Sequence, residues 1–154
     1  MNKKVGIVLG VLIVAVVILA AMGIFKNDEK KSLEADIVGF AQCLKDEGAI
    51  FYGAFWCPHC QNQKRMFGRE ASKALPYVEC STPDGQGQTD ECIAAGVESY
   101  PTWHFADGSQ ETGELSIQRL SEKTSCPISP AMMEFYKVEE TADLIESLQT
   151  EVSQ

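Results

Sequence analysis

The residues best equipped for chemistry are Trp56-Cys57-Pro58-His59-Cys60. Two cysteines two residues apart can close a small disulfide or present two thiols, and two electrons and two protons separate those states. Ahead of them, Ala49 to Phe55 is an apolar and aromatic run that reads as a strand buried on both faces. Pro58 suits the first position of a helix, where the missing N–H costs nothing. A strand-to-helix junction puts Cys57 at the helix N-terminus, where unpaired backbone N–H groups and the positive end of the helix dipole stabilise a thiolate. In such motifs a thiol pKa falls from about 8.5 to as low as about 3.5. Cys57 is therefore expected to be an exposed nucleophile, and Cys60, one turn in and more buried, the resolving thiol. His59 adds a second cation that tunes charge rather than serving as an obligatory base. Stabilising the thiolate makes the disulfide a stronger oxidant, by about 1.4 kcal/mol per 30 mV. A client thiolate would attack Cys57, and a second client thiol would resolve the mixed disulfide.

CxxC is also half of a zinc site, but zinc needs two more ligands. Cys80 and Cys92 have eleven residues between them and His104 stands alone in a strand, so no metal is expected.

The elements that must hold this pair can be read from periodicity. Leu33, Ile37, Phe40, Ala41 and Leu44 share one helical face, and Gly48 ends that helix, giving a first helix over 33–47. After the strand and the helix of the cysteines, which Gly68 would kink, Pro76 to Glu79 reads as a second strand. Ser81 to Gln88 is a turn-rich loop, and Thr89 caps a brief helix ended by Gly96. Thr102 to Ala106, Asp107-Gly108 and Gln110 to Thr112 form a hairpin. Ser116 caps a last helix, with Leu115 and Leu120 as its hydrophobic staple. The order α-β-α-β-α-β-β-α buries a sheet between helices, which is the α/β class.

At 154 residues there is room for one domain and appendages. Val5 to Phe25 carries no charge and would span about 31 Å as a helix, which fits a membrane anchor better than a signal peptide. The expected organisation is a cytoplasmic N-terminus at 1–4, a transmembrane anchor at 5–25 and a linker at 26–32. A domain at 33–126 and a partly helical tail at 127–154 complete it. Gly6 and Gly10 form a GxxxG pair inside the anchor. Six cysteines in so small a domain suit an oxidising compartment, so the expected location is the cell membrane, single-pass, with the domain on the extracytoplasmic side. A formal charge of −9 argues against nucleic acid or anionic lipid headgroups as partners.

The aromatic-Trp-Cys-x-x-Cys junction together with Tyr100-Pro101-Thr102 resembles the thioredoxin-fold oxidoreductases. FYGAFWCPHC, LPYVECSTPDGQGQ, YPTW and GELS look like the thioredoxin-like domain fused to bacterial and plant vitamin K epoxide reductase homologues, and the likeness covers residues 37–124. It implies a central mixed sheet flanked by helices and no cofactor beyond the Cys57–Cys60 disulfide. Pro101 would be cis beside the cysteines, and Trp56, Pro58, His59 and Tyr100 would tune the site or line the client groove. Protein clients with cysteines and a separate quinone-linked membrane partner that restores the disulfide are the implied partners. The CPHC tetrad is shared with DsbA-type oxidases, which fits an oxidising direction. A reductase or isomerase, and a client-binding module without turnover, are the competing readings. Thioredoxins proper carry a buried acid six positions before the first cysteine; here that residue is Phe51, so no carboxylate shuttle is apparent.

Cys80 and Cys92 flank the turn-rich loop, and a bridge between them is expected to be structural, because no cation lies near in sequence to stabilise a thiolate. Cys43 and Cys126 could pair. The fold should place their helices on opposite sheet faces, however, so free or intermolecular thiols are expected at least as readily.

Overall fold

The structure, a computed structural model, describes residues 28–137. The chain divides into two compact units, Met1–Ala35 and Asp36–Gln154. Of the first, residues 28–35 are described, and they are helical.

Nine elements follow one another. Helix α1 covers residues 28–46, and β1 is Ile50–Gly53, α2 Pro58–Ala71, β2 Tyr77–Glu79 and α3 Asp90–Ala94. Then come β3 Thr102–His104, β4 Gln110–Thr112, α4 Ile117–Thr124 and α5 Pro130–Tyr136. The sheet order is β2-β1-β3-β4. β1 runs parallel to β2, with Phe51 opposite Tyr77, and antiparallel to β3, with Phe51 opposite Trp103. β4 closes the hairpin antiparallel to β3.

Two corrections follow. An N-terminal transmembrane helix was expected ahead of the domain, and a single-pass membrane location with it. Among the described residues no helix is long and apolar enough to cross a membrane. α1 is amphipathic, burying Ile37, Phe40, Ala41 and Leu44 on one stripe while Asp28 to Lys31 are exposed. What stands is a mixed α/β domain with a four-stranded sheet and five helices among the described residues. The apolar run 5–25, with Gly6 and Gly10, and the expected helical segment 139–148 lie outside the described residues.

Boundaries shift too. α1 is already helical at residue 28, the first described, rather than from 33, and Asp28 to Lys31 contain no breaker. Within the expected tail, Pro130 opens a helix. Ser129 caps α5 by accepting the Met132 N–H at 3.3 Å, and Pro130 occupies its first turn. α5 is tied down by Tyr136, whose hydroxyl donates to the Met66 carbonyl at 2.7 Å, and by Ser129, which donates to Asp36 at 2.6 Å.

Strand alternation sorts the core into two faces. Phe51 stacks on Trp103 at 4.7 Å and Trp103 on Phe105 at 6.5 Å, so these rings share a face. α2 packs there, and α1 joins it through Phe40 against Phe67 at 6.3 Å. α4 covers the same face near Phe105, which Lys123 overlies at 5.2 Å. Tyr52 points the other way, into a smaller cluster with Val97 and the Cys80–Cys92 bridge. Since α1 and α4 share a face, Cys43 and Cys126 come within 5.9 Å between Cα atoms and are bridged. The left-handed Ser125 that ends α4 turns the chain so that Cys126 points inward.

The Cys43–Cys126 bridge closes 83 residues and Cys80–Cys92 closes 12. Chain-entropy reasoning puts their contributions at about 4.5 and about 3 kcal/mol. Guanidinium unfolding of the Cys43→Ala, Cys126→Ala variant should therefore show the larger loss of the two double variants; the reverse order would refute the assignment. A second expectation concerns acid. Asp107 is held at about 2 by the Ser109 hydroxyl, then by the Ser109 N–H and Lys123. A depressed carboxyl stabilises above its unfolded value and loses that contribution as pH falls. Asp107→Asn should flatten the dependence of the thermal midpoint between about pH 4 and pH 2.

Candidate active site

The cysteine pair sits where β1 gives way to α2. Cys57 is the N-cap residue, with extended backbone, and its sulfur accepts the Cys60 N–H at 3.3 Å. This is an unpaired amide of the first helical turn directed at sulfur. On its other side the thiol lies 3.7 Å from the Tyr100 carbonyl, to which it can donate. The Tyr100–Pro101 peptide is cis, and Pro101 is fully buried. Pro58 holds the first position of α2.

Accessibility differs from the sequence expectation. Cys57 is only 4% exposed, because the helix start and the Tyr100 carbonyl flank its sulfur, while Cys60 is 0% exposed. Burial, followed by the hydrogen bond with Cys57, pushes the Cys60 thiol up to about 12, so it holds its proton at neutral pH. The exposed rim is aromatic. Phe55 is 49% and Trp56 52% exposed, and the Trp56 ring meets Tyr100 edge-on at 6.0 Å. Trp56 is positioned by its indole N–H, which donates to Ser81 Oγ at 2.8 Å.

His59 is placed differently from the expectation that it supplies charge to Cys57. Its Nδ1 is 2.6 Å from Glu114 Oε1, and the Glu114 carboxyl is held below the usual range by that hydrogen bond first and by Asn62 second. Nearby, the buried Gln63 side chain pairs with the backbone of Leu115 in both directions, at 3.0 and 2.7 Å. These contacts lock the outer side of α2 to the segment that leads into α4.

A cluster around Cys60 was not anticipated. A Cβ on Gly53 would lie 2.9 Å from Cys60 Sγ and 3.0 Å from the Tyr77 ring, so glycine is what lets sulfur and ring meet over β1. Lys64, one turn after Cys60 on the same helix face, places its ammonium 3.1 Å from the centre of the Tyr77 ring. The Tyr77 hydroxyl donates to Glu79 Oε2 at 2.7 Å. The other oxygen of Glu79 accepts the Phe55 N–H at 3.1 Å and the Ser81 N–H at 2.9 Å, so this carboxylate fixes the loop that presents Cys57. The available sequence signals were a lysine four residues past the second cysteine and an acid closing the neighbouring strand.

Cys80 and Cys92 are joined and fully buried on the opposite face. Among the described residues no cluster of histidine, cysteine and acidic side chains is placed to hold a metal. His104 meets the Tyr52 ring at a tilt, with ring centres 4.6 Å apart, and burial lowers its pKa.

Two free thiols at a helix N-terminus, one flanked by the Tyr100 carbonyl that precedes the cis-proline and the other sealed beneath it, define a dithiol centre of the CxxC class. Such an arrangement can close to a disulfide or open to two thiols, which is what thiol–disulfide exchange requires. No family model matches the chain. Over 111 residues it is 40% identical to the thiol-disulfide oxidoreductase LTO1 of Arabidopsis thaliana, an alignment covering 70% of this chain and 29% of that protein. The chain thus spans less than a third of that relative's length.

Gly53→Ala tests the packing that creates the centre. The added methyl must displace the Cys60 sulfur or the Tyr77 ring, at a cost of about 1–3 kcal/mol. It should also slow closure of the Cys57–Cys60 disulfide. Wild-type stability in denaturant with wild-type closure would show that the close approach is unimportant.

Proposed function

We propose that this chain is a protein thiol:disulfide oxidoreductase working through Cys57 and Cys60, with the oxidised pair accepting electrons from client thiols. The observation that carries the reading is the contrast among the six cysteines: four are bonded in two bridges, and the two left as thiols are the pair at the start of α2. A client thiolate attacks Cys57, Cys60 leaves, and a second client thiol displaces Cys57 to complete the client disulfide. The aromatic rim of Phe55, Trp56 and Tyr100, with the polar backbone at the cis-proline, suits an extended cysteine-bearing segment. The relative LTO1 supports the activity class. The likeness of the sequence motifs to the domain fused to vitamin K epoxide reductase homologues supports a separate quinone-linked membrane protein as the partner that restores the disulfide.

Purified protein in its oxidised form should introduce disulfides into a reduced, unfolded client. Cys57→Ser should abolish this, and Cys60→Ala, given a client that already carries a disulfide, should attack it through Cys57 and accumulate a covalent mixed disulfide that reductant dissolves. Retained oxidation by Cys57→Ser would overturn the proposal. The oxidising direction is checked by the potential of the pair, expected nearer DsbA's about −120 mV than thioredoxin's about −270 mV. A value near the latter would assign the chain to reduction instead.

A further inference from the structure

We propose that Lys64, held by Tyr77 and Glu79, is the positioning residue that governs the charge on Cys60 and so sets the rate at which the resolving thiol acts. This rests on the dithiol reading of Cys57 and Cys60 and adds a residue outside the CxxC tetrad.

The geometry is a short chain of contacts. Cys60 and Lys64 are successive positions on one face of α2. Cys60 Sγ and the Tyr77 ring both pack where Gly53 lacks a side chain, and the Lys64 ammonium sits 3.1 Å from the centre of that ring. Glu79 holds the Tyr77 hydroxyl at 2.7 Å, which fixes the ring and puts a counter-charge behind it. A cation is thereby held on the helix face that carries the buried sulfur. The groups facing Cys60 are Cys57 at the helix cap, Lys64 on its own helix, Tyr77 with Glu79 behind it on β2, and Tyr100 before the cis-proline. Lys64 is the cation of that set. Burial lowers its pKa, while Glu79 first and Cys60 second oppose the change. Toward the Cys60 thiolate, the hydrogen bond with the Ala54 backbone pulls first and the Lys64 charge adds to it.

The chemistry needs such a charge in both directions. When a client thiolate attacks Cys57 in the disulfide, the Cys57–Cys60 bond breaks and its electron pair leaves on Cys60. Lys64 stabilises that thiolate until a proton from solvent neutralises it. In the reverse step Cys60 first gives its proton to solvent, and its thiolate attacks Cys57 in the mixed disulfide. The Cys57–Cys60 bond forms and the other thiol departs as thiolate. His59 lies outside that set, its ring paired with Glu114.

The test uses the reduced full chain and an aromatic disulfide, dithiobis-nitrobenzoate, followed by stopped flow. Attack by Cys57 releases one coloured thiolate; attack by Cys60 on the resulting mixed disulfide releases a second. Lys64→Met should leave the first phase unchanged and slow the second about tenfold at pH 7, because loss of a nearby opposite charge raises a thiol's pKa. The rise of the second phase with pH should move to higher pH, and the two proteins should converge in alkali. Lys64→Arg should restore most of the rate, and Arg69→Met, which removes an exposed cation from the same helix, should change neither phase. An unaltered second phase in a folded Lys64→Met protein overturns the inference while leaving the proposed function intact. Absence of the first phase in wild type would overturn the proposed function itself.

Discussion

A sulfur atom buried at the first turn of a helix constrains everything around it. Cys60 has almost no access to water, so its charge is permitted only where protein groups replace hydration. That requirement explains a glycine where β1 passes beneath it. It also explains a tyrosine ring on the neighbouring strand and a lysine one turn along α2. Cys57, by contrast, receives the Cys60 N–H and faces the Tyr100 carbonyl, so the two sulfurs of one tetrad live in different electrostatic settings. The proposed division between an attacking and a resolving thiol draws on that difference.

Polar contacts over the site form two groups with separate tasks. Glu79 and Ser81 bind the backbone of Phe55 and the indole of Trp56, and thereby hold the presenting loop from the β2 side. Glu114 and Leu115 bind His59, Asn62 and Gln63, and hold α2 from the α4 side. The first group bears on the approach of a client. The second bears on the orientation of the helix whose N-terminus carries the chemistry.

The strand-to-helix junction, the hairpin and the caps Ser116 and Cys57 were legible because each depends on neighbours in sequence: alternation, a turn dipeptide, a side chain reaching three residues forward. The cysteine tetrad was legible for the same reason. What escaped depended on which sheet face a helix takes. Cys43 and Cys126 meet because α1 and α4 share the Phe51 face, and periodicity gives an amphipathic helix no preference between faces. Glu79 was hidden likewise, since the expected acid would precede Cys57 on β1, whereas this one lies a strand away and reaches the site through Tyr77 and Phe55. His59 looked like a charge for Cys57 because it is adjacent in sequence, yet its nearest ionic partner is fifty-five residues distant. The apolar run 5–25 read as a membrane anchor on length and hydropathy alone, and no described helix has that character.

The loop from Ser81 to Gln88 is pinched at its neck by pairing between those two residues, and just outside them by the Cys80–Cys92 bond. Its tip, Pro83 to Gly87, lies against the aromatic rim, since a Cβ on Gly85 would come within 3.7 Å of both Phe55 and Trp56, while Ser81 at the neck steadies Trp56. Lengthening such a tip costs little, about 0.6 kcal/mol per doubling of a flexible loop. The scaffold consequently offers a port for grafting recognition sequences within reach of the redox pair, where a peptide inserted for one target could redirect the chemistry without rebuilding the sheet.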